Sequence, residues 1–253
     1  MSDIESRRKL LTGLGSLAGV GAAVGLGLGL GTLSRTAVLR ARSGREAQPD
    51  ARDGDVGWIE GHDTPLEDLM REHAVLERVL LVYEESARRL EAGLDVAPEA
   101  LGRAAGIVRR YIEDHHERDE ETLVFPRLER IDAEVGLIAT LRTQHAAGRR
   151  LTSEVVTLAT LATWHDPAER ARLVRAIRLF VRMYRPHAAQ ENTVLFPTLR
   201  KAVSQTEYET LRVELEKSEQ AAFGDDPYEA ILGEVRELEG ALGIGDLAAF
   251  TPP

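Results

Sequence analysis

Apolar side chains recur at steps of three and four along most of the chain after residue 64, the period of helices with one buried face. In the first such stretch Leu66, Leu69, Leu76, Leu80, Tyr83, Ala87 and Leu90 keep this spacing, and His73 falls in the same series. Leu173, Ile177, Phe180, Tyr184, His187, Glu191 and Val194 form a second seam. Ile112, His116, Glu120 and Leu123 form a third, and Ile138, Leu141 and His145 a fourth. No window alternates with a period of two over a useful length, so no sheet is expected.

Helix starts are marked by capping side chains, proline in the first turn and an acid at the third position, as in Thr64-Pro65-Leu66-Glu67, Asp166-Pro167-Ala168-Glu169 and Asp226-Pro227-Tyr228-Glu229. Pro98 and Ser204 to Glu207 mark two more. The pattern predicts helices over residues 65–92, 98–130, 133–163 and 167–200, with shorter ones near 205–220 and 227–242. Short connections make neighbours antiparallel. The expected fold class is all-α: an up-down-up-down four-helix bundle over residues 51–203, with short additional C-terminal helices in residues 204–253 packing on it. The apolar ending Leu247 to Phe250 is expected to pack there too.

Polar residues inside these seams change the picture. His116, Glu120 and Phe125-Pro126 are followed 71 residues later by His187, Glu191 and Phe196-Pro197, and His73 and His145 stand 72 apart. The chain reads as a duplicated helical hairpin. Positions four apart share a helix face, so each half aims one imidazole and one carboxylate at one point, and a lone histidine on the neighbouring helix joins them. Four imidazoles and two carboxylates can hold a pair of metal ions. A lone core histidine is ordinarily a hydrogen-bonded packing residue. Six polar residues at matched core positions on four helices are not explained that way, because burying two carboxylates costs several kcal/mol each without compensation.

Other features carry less. Pro186 lies inside the fourth helix, but the seam stays in phase across it, which predicts a continuous kinked helix that frees the carbonyl of Arg182 and helps aim His187. Phe125-Pro126 and Phe196-Pro197 read as a core aromatic and a bend near a helix end. His115 points about 100° away from its neighbour His116 and is expected outside the ligand set. His62 and His165 precede helix caps and read as exposed loop residues; Tyr111 and Tyr184 read as core residues that border the site.

The chain has 253 residues, a net charge of −10 and no cysteine. Absence of cysteine excludes thiolate sites, iron–sulfur clusters and disulfides. The acidity argues against a nucleic-acid partner, although residues 1–50 carry seven basic against four acidic side chains. There Ser6-Arg7-Arg8-Lys9-Leu10-Leu11 precedes an uncharged stretch, Leu10 to Leu33, with eight glycines. This resembles a twin-arginine export signal, which places the protein in the periplasm or cell envelope. An uncleaved signal would give membrane contact through residues 10–33, and residues 34–58 read as a linker.

The motifs Arg71-Glu72-His73, His115-His116-Glu117-Arg118-Asp119-Glu120 with Val124-Phe125-Pro126, Gln144-His145, and His187 with Glu191 and Leu195-Phe196-Pro197 resemble the hemerythrin-like (HHE cation-binding) family, over roughly residues 62–200. The resemblance implies a non-haem di-iron centre with His73, His116, His145 and His187 as terminal ligands and Glu120 and Glu191 as bridges. Oxygen-carrying members have a further histidine where this chain has Arg149, and an aspartate five residues after the last histidine where this chain has Glu191 at four. Glu117 is an additional candidate ligand, because an F-box iron-sensing member also has an acid directly after the second histidine.

The implied function is binding or sensing of dioxygen, peroxide, nitric oxide or iron itself. The alternatives are a peroxide- or nitric-oxide-consuming oxidoreductase, whose electron donor the sequence does not show, and an envelope-anchored bundle with a structural metal. Manganese or zinc would also suit imidazole and carboxylate. A ferritin-type site is disfavoured by the order and step of Glu and His, and the HExxH signature of zinc hydrolases is absent.

Overall fold

The computed structural model describes residues 64–224 and 227–252. These residues form an all-α bundle, with no strand among them. Helix α1 is Pro65–Glu91 and α2 runs from 98 to 129. Helix α3 is Val135–Leu158, α4 is a short Leu161–His165 and α5 spans 167 to 202. Helices α6, Gln205–Phe223, and α7, Pro227–Leu242, complete it, followed by a 3₁₀ turn, Leu247–Phe250. The export-signal motif, its apolar stretch and His62 lie outside the described residues. No described helix is long and apolar enough to cross a membrane.

Three of the caps expected from sequence form, while Asp226, expected to cap the last helix, lies outside the described residues. Thr64 Oγ1 accepts from the Glu67 N–H at 3.3 Å while Glu67 accepts from the Thr64 N–H at 2.7 Å. Ser204 and Glu207 repeat the reciprocal pair at 3.2 and 3.1 Å, and Asp166 accepts from Ala168 and Glu169. The third helix departs from expectation at both ends. It begins at Val135, because Asp132 and Glu134 take left-handed backbone angles, φ 56° and 53°, which turn the chain after α2. It stops at Leu158, because Thr160 adopts an extended conformation and caps α4 through the Thr163 N–H.

Two apolar cores fill the bundle on either side of a polar level. One joins α1, α2, α3, α5 and α7 through side chains such as Leu80, Ile107, Val155, Phe180 and Val235. The other joins Leu69, Val124, Leu141, Leu195 and Leu211 at the opposite end. Helix α7 joins the first core, and α6 joins the second while its last residue, Phe223, packs against the first. Leu247 and Phe250 depart from the packing expected of them: they are 83% and 52% exposed. The turn that carries them is capped by Asp246 and leaves both side chains outside the cores.

The seams are in register up to the glutamates and then shift by one residue. Leu123 and Val194, expected in the core, are only partly buried, while Val124 and Leu195 are fully buried. The cause is a π-helical turn in each repeat, Glu120–Val124 and Glu191–Leu195. The Phe125 N–H donates to the Glu120 carbonyl and the Phe196 N–H to the Glu191 carbonyl, five residues back instead of four. Each turn inserts one residue, and the proline that follows, with no N–H to give, cannot restore the tighter ladder. A longer π-helical stretch, Val108–His116, precedes the first histidine–glutamate pair.

Candidate metal centre

The polar level holds all four expected histidines and both expected glutamates, each at most 3% exposed. His73 comes from α1, His116 and Glu120 from α2, His145 from α3, and His187 and Glu191 from α5. Helix α5 runs on through Pro186 to Gln190 and brings His187 to the level. Ligand atoms of His73, His116, Glu120 and Glu191 lie within 4.8 Å of one another, and so do those of His145, His187, Glu120 and Glu191.

The two clusters share the two glutamates oxygen by oxygen. Glu191 Oε2 is 3.2 Å from His73 Nε2 while its Oε1 is 3.1 Å from His187 Nε2. Glu120 Oε1 is 3.6 Å from His116 Nε2 and its Oε2 is 3.5 Å from His145 Nε2. Within the clusters His73 Nε2 and His116 Nε2 are 2.9 Å apart, and His145 Nε2 and His187 Nε2 3.2 Å.

An outer ring of acceptors orients the imidazoles. His73 Nδ1 faces Asn192 Oδ1 at 2.8 Å, His116 Nδ1 faces Glu72 at 2.6 Å, His145 Nδ1 faces Glu121 at 2.9 Å and His187 Nδ1 faces Gln144 Oε1 at 2.8 Å. With each Nδ1–H donating outward, each Nε2 turns a lone pair inward, the arrangement of metal-ligating histidines. Phe125 stacks on His145 with centroids 5.8 Å apart and Phe196 on His73 at 5.6 Å. Sequence reading had made these phenylalanines core residues; the structure adds that each fixes the plane of a candidate ligand.

A metal fits these residues on two observations. All four carboxylate oxygens of Glu120 and Glu191 are buried without a hydrogen-bond partner. Two pairs of imidazole lone pairs face each other at hydrogen-bond distance, with the protons directed elsewhere. Left alone, this is costly. Burial, then the charge of Glu191, raises the Glu120 carboxyl well above its ordinary range. For Glu191 burial acts in the same direction, but His187 and His73 outweigh it and hold the carboxyl low. A cation between the groups would compensate both carboxylates.

Glu117 is not in either four-residue cluster. It is fully buried, receives the Tyr184 hydroxyl on Oε1, and has Arg149 Nη2 3.0 Å from Oε2. Burial pushes its carboxyl up to about 8 against the opposing pull of Tyr184 and Arg149. It groups instead with Glu121 and His145. Arg149 also binds Glu121 at 3.0 Å, so the place of the oxygen carriers' further histidine is filled by a cation that pairs two acids beside the centre. His115 is 2% exposed, with Nε2 3.1 Å from the second oxygen of Glu72. His165 is exposed as expected, but it ends the short helix α4 instead of lying in a loop. Sequence reasoning missed the outer acceptors Glu121, Gln144 and Asn192 as such; their signal was the same offset of 71 or 72 that pairs the histidines.

Residues 64–199 match the family model described as "Hemerythrin HHE cation binding domain". The chain belongs to the hemerythrin HHE cation-binding domain family. Similar proteins occur in Mycobacterium tuberculosis and Mycobacterium bovis, each called an uncharacterized protein; they are 42% identical over 189 residues, which cover 75% of this chain and 74% of theirs. No solved structure matches the chain significantly. In this HHE protein the family assignment and the buried histidine–glutamate clusters agree on cation binding.

Proposed function

We propose that this HHE protein is a non-haem di-iron protein that binds or senses dioxygen, peroxide or nitric oxide. The observation that carries the reading is the sharing of Glu120 and Glu191 between two imidazole pairs, each carboxylate turning one oxygen to each side. His73 and His116 would hold one ion, His145 and His187 the other, and the two glutamates would bridge them. Iron bound there supplies one-electron redox change and coordination positions open to a small ligand. The outer acceptors keep the imidazoles aligned, and the apolar cores above and below keep bulk water away from the carboxylates. With two imidazoles and two carboxylate oxygens per ion, the protein leaves more positions to exchangeable ligands than a histidine-richer oxygen carrier, which favours sensing or redox reactivity over stable oxygen carriage.

Export by the twin-arginine route to the cell envelope belongs to the same proposal and is supported by the Ser6-Arg7-Arg8 motif and the glycine-rich apolar stretch after it. That route carries folded proteins, so the buried centre would be filled before export. Replacing Arg7 and Arg8 by lysine should leave the protein in the cytoplasmic fraction.

The deciding measurement is the metal content of the purified full chain, with visible spectra after reduction and after air, peroxide or nitric oxide. About two irons per chain, with an absorption band that responds to one of these ligands and is lost in His116→Ala and Glu191→Ala, is the expected result. Bound zinc without a redox response, or no metal, would refute it.

A further inference from the structure

A second histidine-centred cluster lies outside the paired sites. His115 on α2, Glu72 on α1 and Glu219 on α6 bring one ligand atom each within 4.8 Å of one another. They line a cleft between α6 and the bundle together with Tyr111, Asp119 and Leu215. Glu219 lies beyond residue 199, where the family match ends, so the cluster depends on the C-terminal extension of this chain.

His115 is buried beside two carboxylates, Glu72 and Asp119. Its Nδ1 stands 3.5 Å from Asp119 Oδ2, and its Nε2 lies 3.1 Å from Glu72 Oε1. The ring of Phe223 meets it edge-on at 5.2 Å. Asp119 is 3% exposed; its other oxygen accepts from Ser218 Oγ at 2.7 Å, the residue just before Glu219. Asp119 Oδ2 and His115 Nδ1 are buried without a hydrogen-bond partner. A buried imidazole with ligand atoms of two carboxylates within 4.8 Å suits a divalent transition-metal ion.

We propose that Glu72, His115 and Glu219 form a third cation site, which takes a first-row divalent ion such as iron(II), manganese(II) or zinc(II). Three protein ligands leave the remaining positions to water, and the cleft opens to the surface, so the ion exchanges readily. Glu72 connects this site to the centre, because its other oxygen holds His116 Nδ1 at 2.6 Å. An ion here therefore sits one carboxylate away from a candidate ligand of the paired centre, where an incoming ion would first be captured. That uptake role rests on the proposed di-metal function; the site itself does not.

The test is cobalt(II) titration of the full chain after removal of metal, followed by visible absorption and metal analysis, with far-ultraviolet circular dichroism on every variant. Glu219 is part-exposed on α6, and Glu219→Gln keeps its shape. The wild type is expected to take up one equivalent more than Glu219→Gln or His115→Gln. A His73→Ala/His187→Ala double variant should retain that equivalent and lose it when Glu219→Gln is added. Equal uptake with and without Glu219→Gln, in both backgrounds, would overturn the third site. Uptake that depends on Glu219 but not on His73 and His187 would support it while refuting the paired centre.

Discussion

Gly148 on α3 offers a sharp test of how the centre is walled in. A Cβ there would lie 2.0 Å from the Tyr184 hydroxyl oxygen, 2.8 Å from its Cζ and 2.9 Å from its Cε2. Tyr184 cannot swing aside: it is 1% exposed, with Phe180 at 4.3 Å and His187 at 5.2 Å from its ring. Gly148→Ala must therefore displace the ring and break the Tyr184–Glu117 hydrogen bond. Overpacking costs about 1–3 kcal/mol, and loss of a hydrogen bond to a carboxylate about 1.5–3 kcal/mol. Alanine in place of a helical glycine returns about 1 kcal/mol. The net is a destabilisation of about 2–5 kcal/mol, readable in urea unfolding of the metal-free protein at pH 9, where Glu117 is ionised. Tyr184→Phe removes the 2.0 Å contact and the hydrogen bond to Glu117 but keeps the ring atoms at 2.8 and 2.9 Å, so in that background Gly148→Ala should cost less. The reasoning fails if Gly148→Ala is as stable as the wild type, or if its cost is the same in both backgrounds.

Three further outcomes follow from individual contacts. Burial holds the folded Glu117 carboxyl at about 8, above its ordinary value of 4.5, so its contribution to stability is full below 4.5 and is lost as pH rises through 8. Glu117→Gln should therefore gain on the wild type from pH 5 to pH 9, toward a ceiling of about 5 kcal/mol, in metal-free urea unfolding; a constant difference would refute this. Glu85 is the opposite case: Arg88, against some opposition from burial and with help from Arg89, lowers its carboxyl to about 2 from 4.5. Its stabilisation is present above 4.5 and lost as pH falls through 2, and it should not exceed about 1 kcal/mol because Arg88 is 56% exposed; the gap between wild type and Glu85→Gln should close at pH 2. Phe196→Leu removes the stack on His73 and should weaken metal binding about tenfold by equilibrium dialysis, while a surface change such as Thr193→Ala should not.

The bundle and its six central residues were legible because helix periodicity and a duplicated motif agree: His73 or Glu191 on an apolar seam is a signal only when its partner recurs at the same offset. What sequence did not show was local geometry that breaks the period. The π turns after Glu120 and Glu191 move Leu123 and Val194 off the core face and put Val124 and Leu195 there, and a count at 3.6 residues per turn cannot anticipate an inserted residue. His115 illustrates a second limit. A helical wheel turns it away from His116, yet α1 and α6 close over that face and bury it. Burial of this kind depends on tertiary neighbours that no pattern within α2 encodes.

The same duplication explains how charge is divided around the centre. The acceptor behind His116 is Glu72, and the corresponding residue behind His187 is Gln144; behind His145 stands Glu121, and behind His73 stands Asn192. Both amides lie in the second half of the duplication, but Glu121 and Asn192 each back a histidine of the other half. Each imidazole pair therefore has one carboxylate-backed and one amide-backed member. A carboxylate raises the basicity of the imidazole it orients, whereas an amide orients without adding charge. Had both carboxylates fallen on one side, one ion would be held by two strengthened imidazoles and the other by none, and the two would differ in affinity and potential. The crossed arrangement gives both sites the same complement of outer charge. It also limits the buried negative charge that the bridging Glu120 and Glu191 must share the interior with, since four outer carboxylates would add two more charges to a region the apolar cores already screen from water.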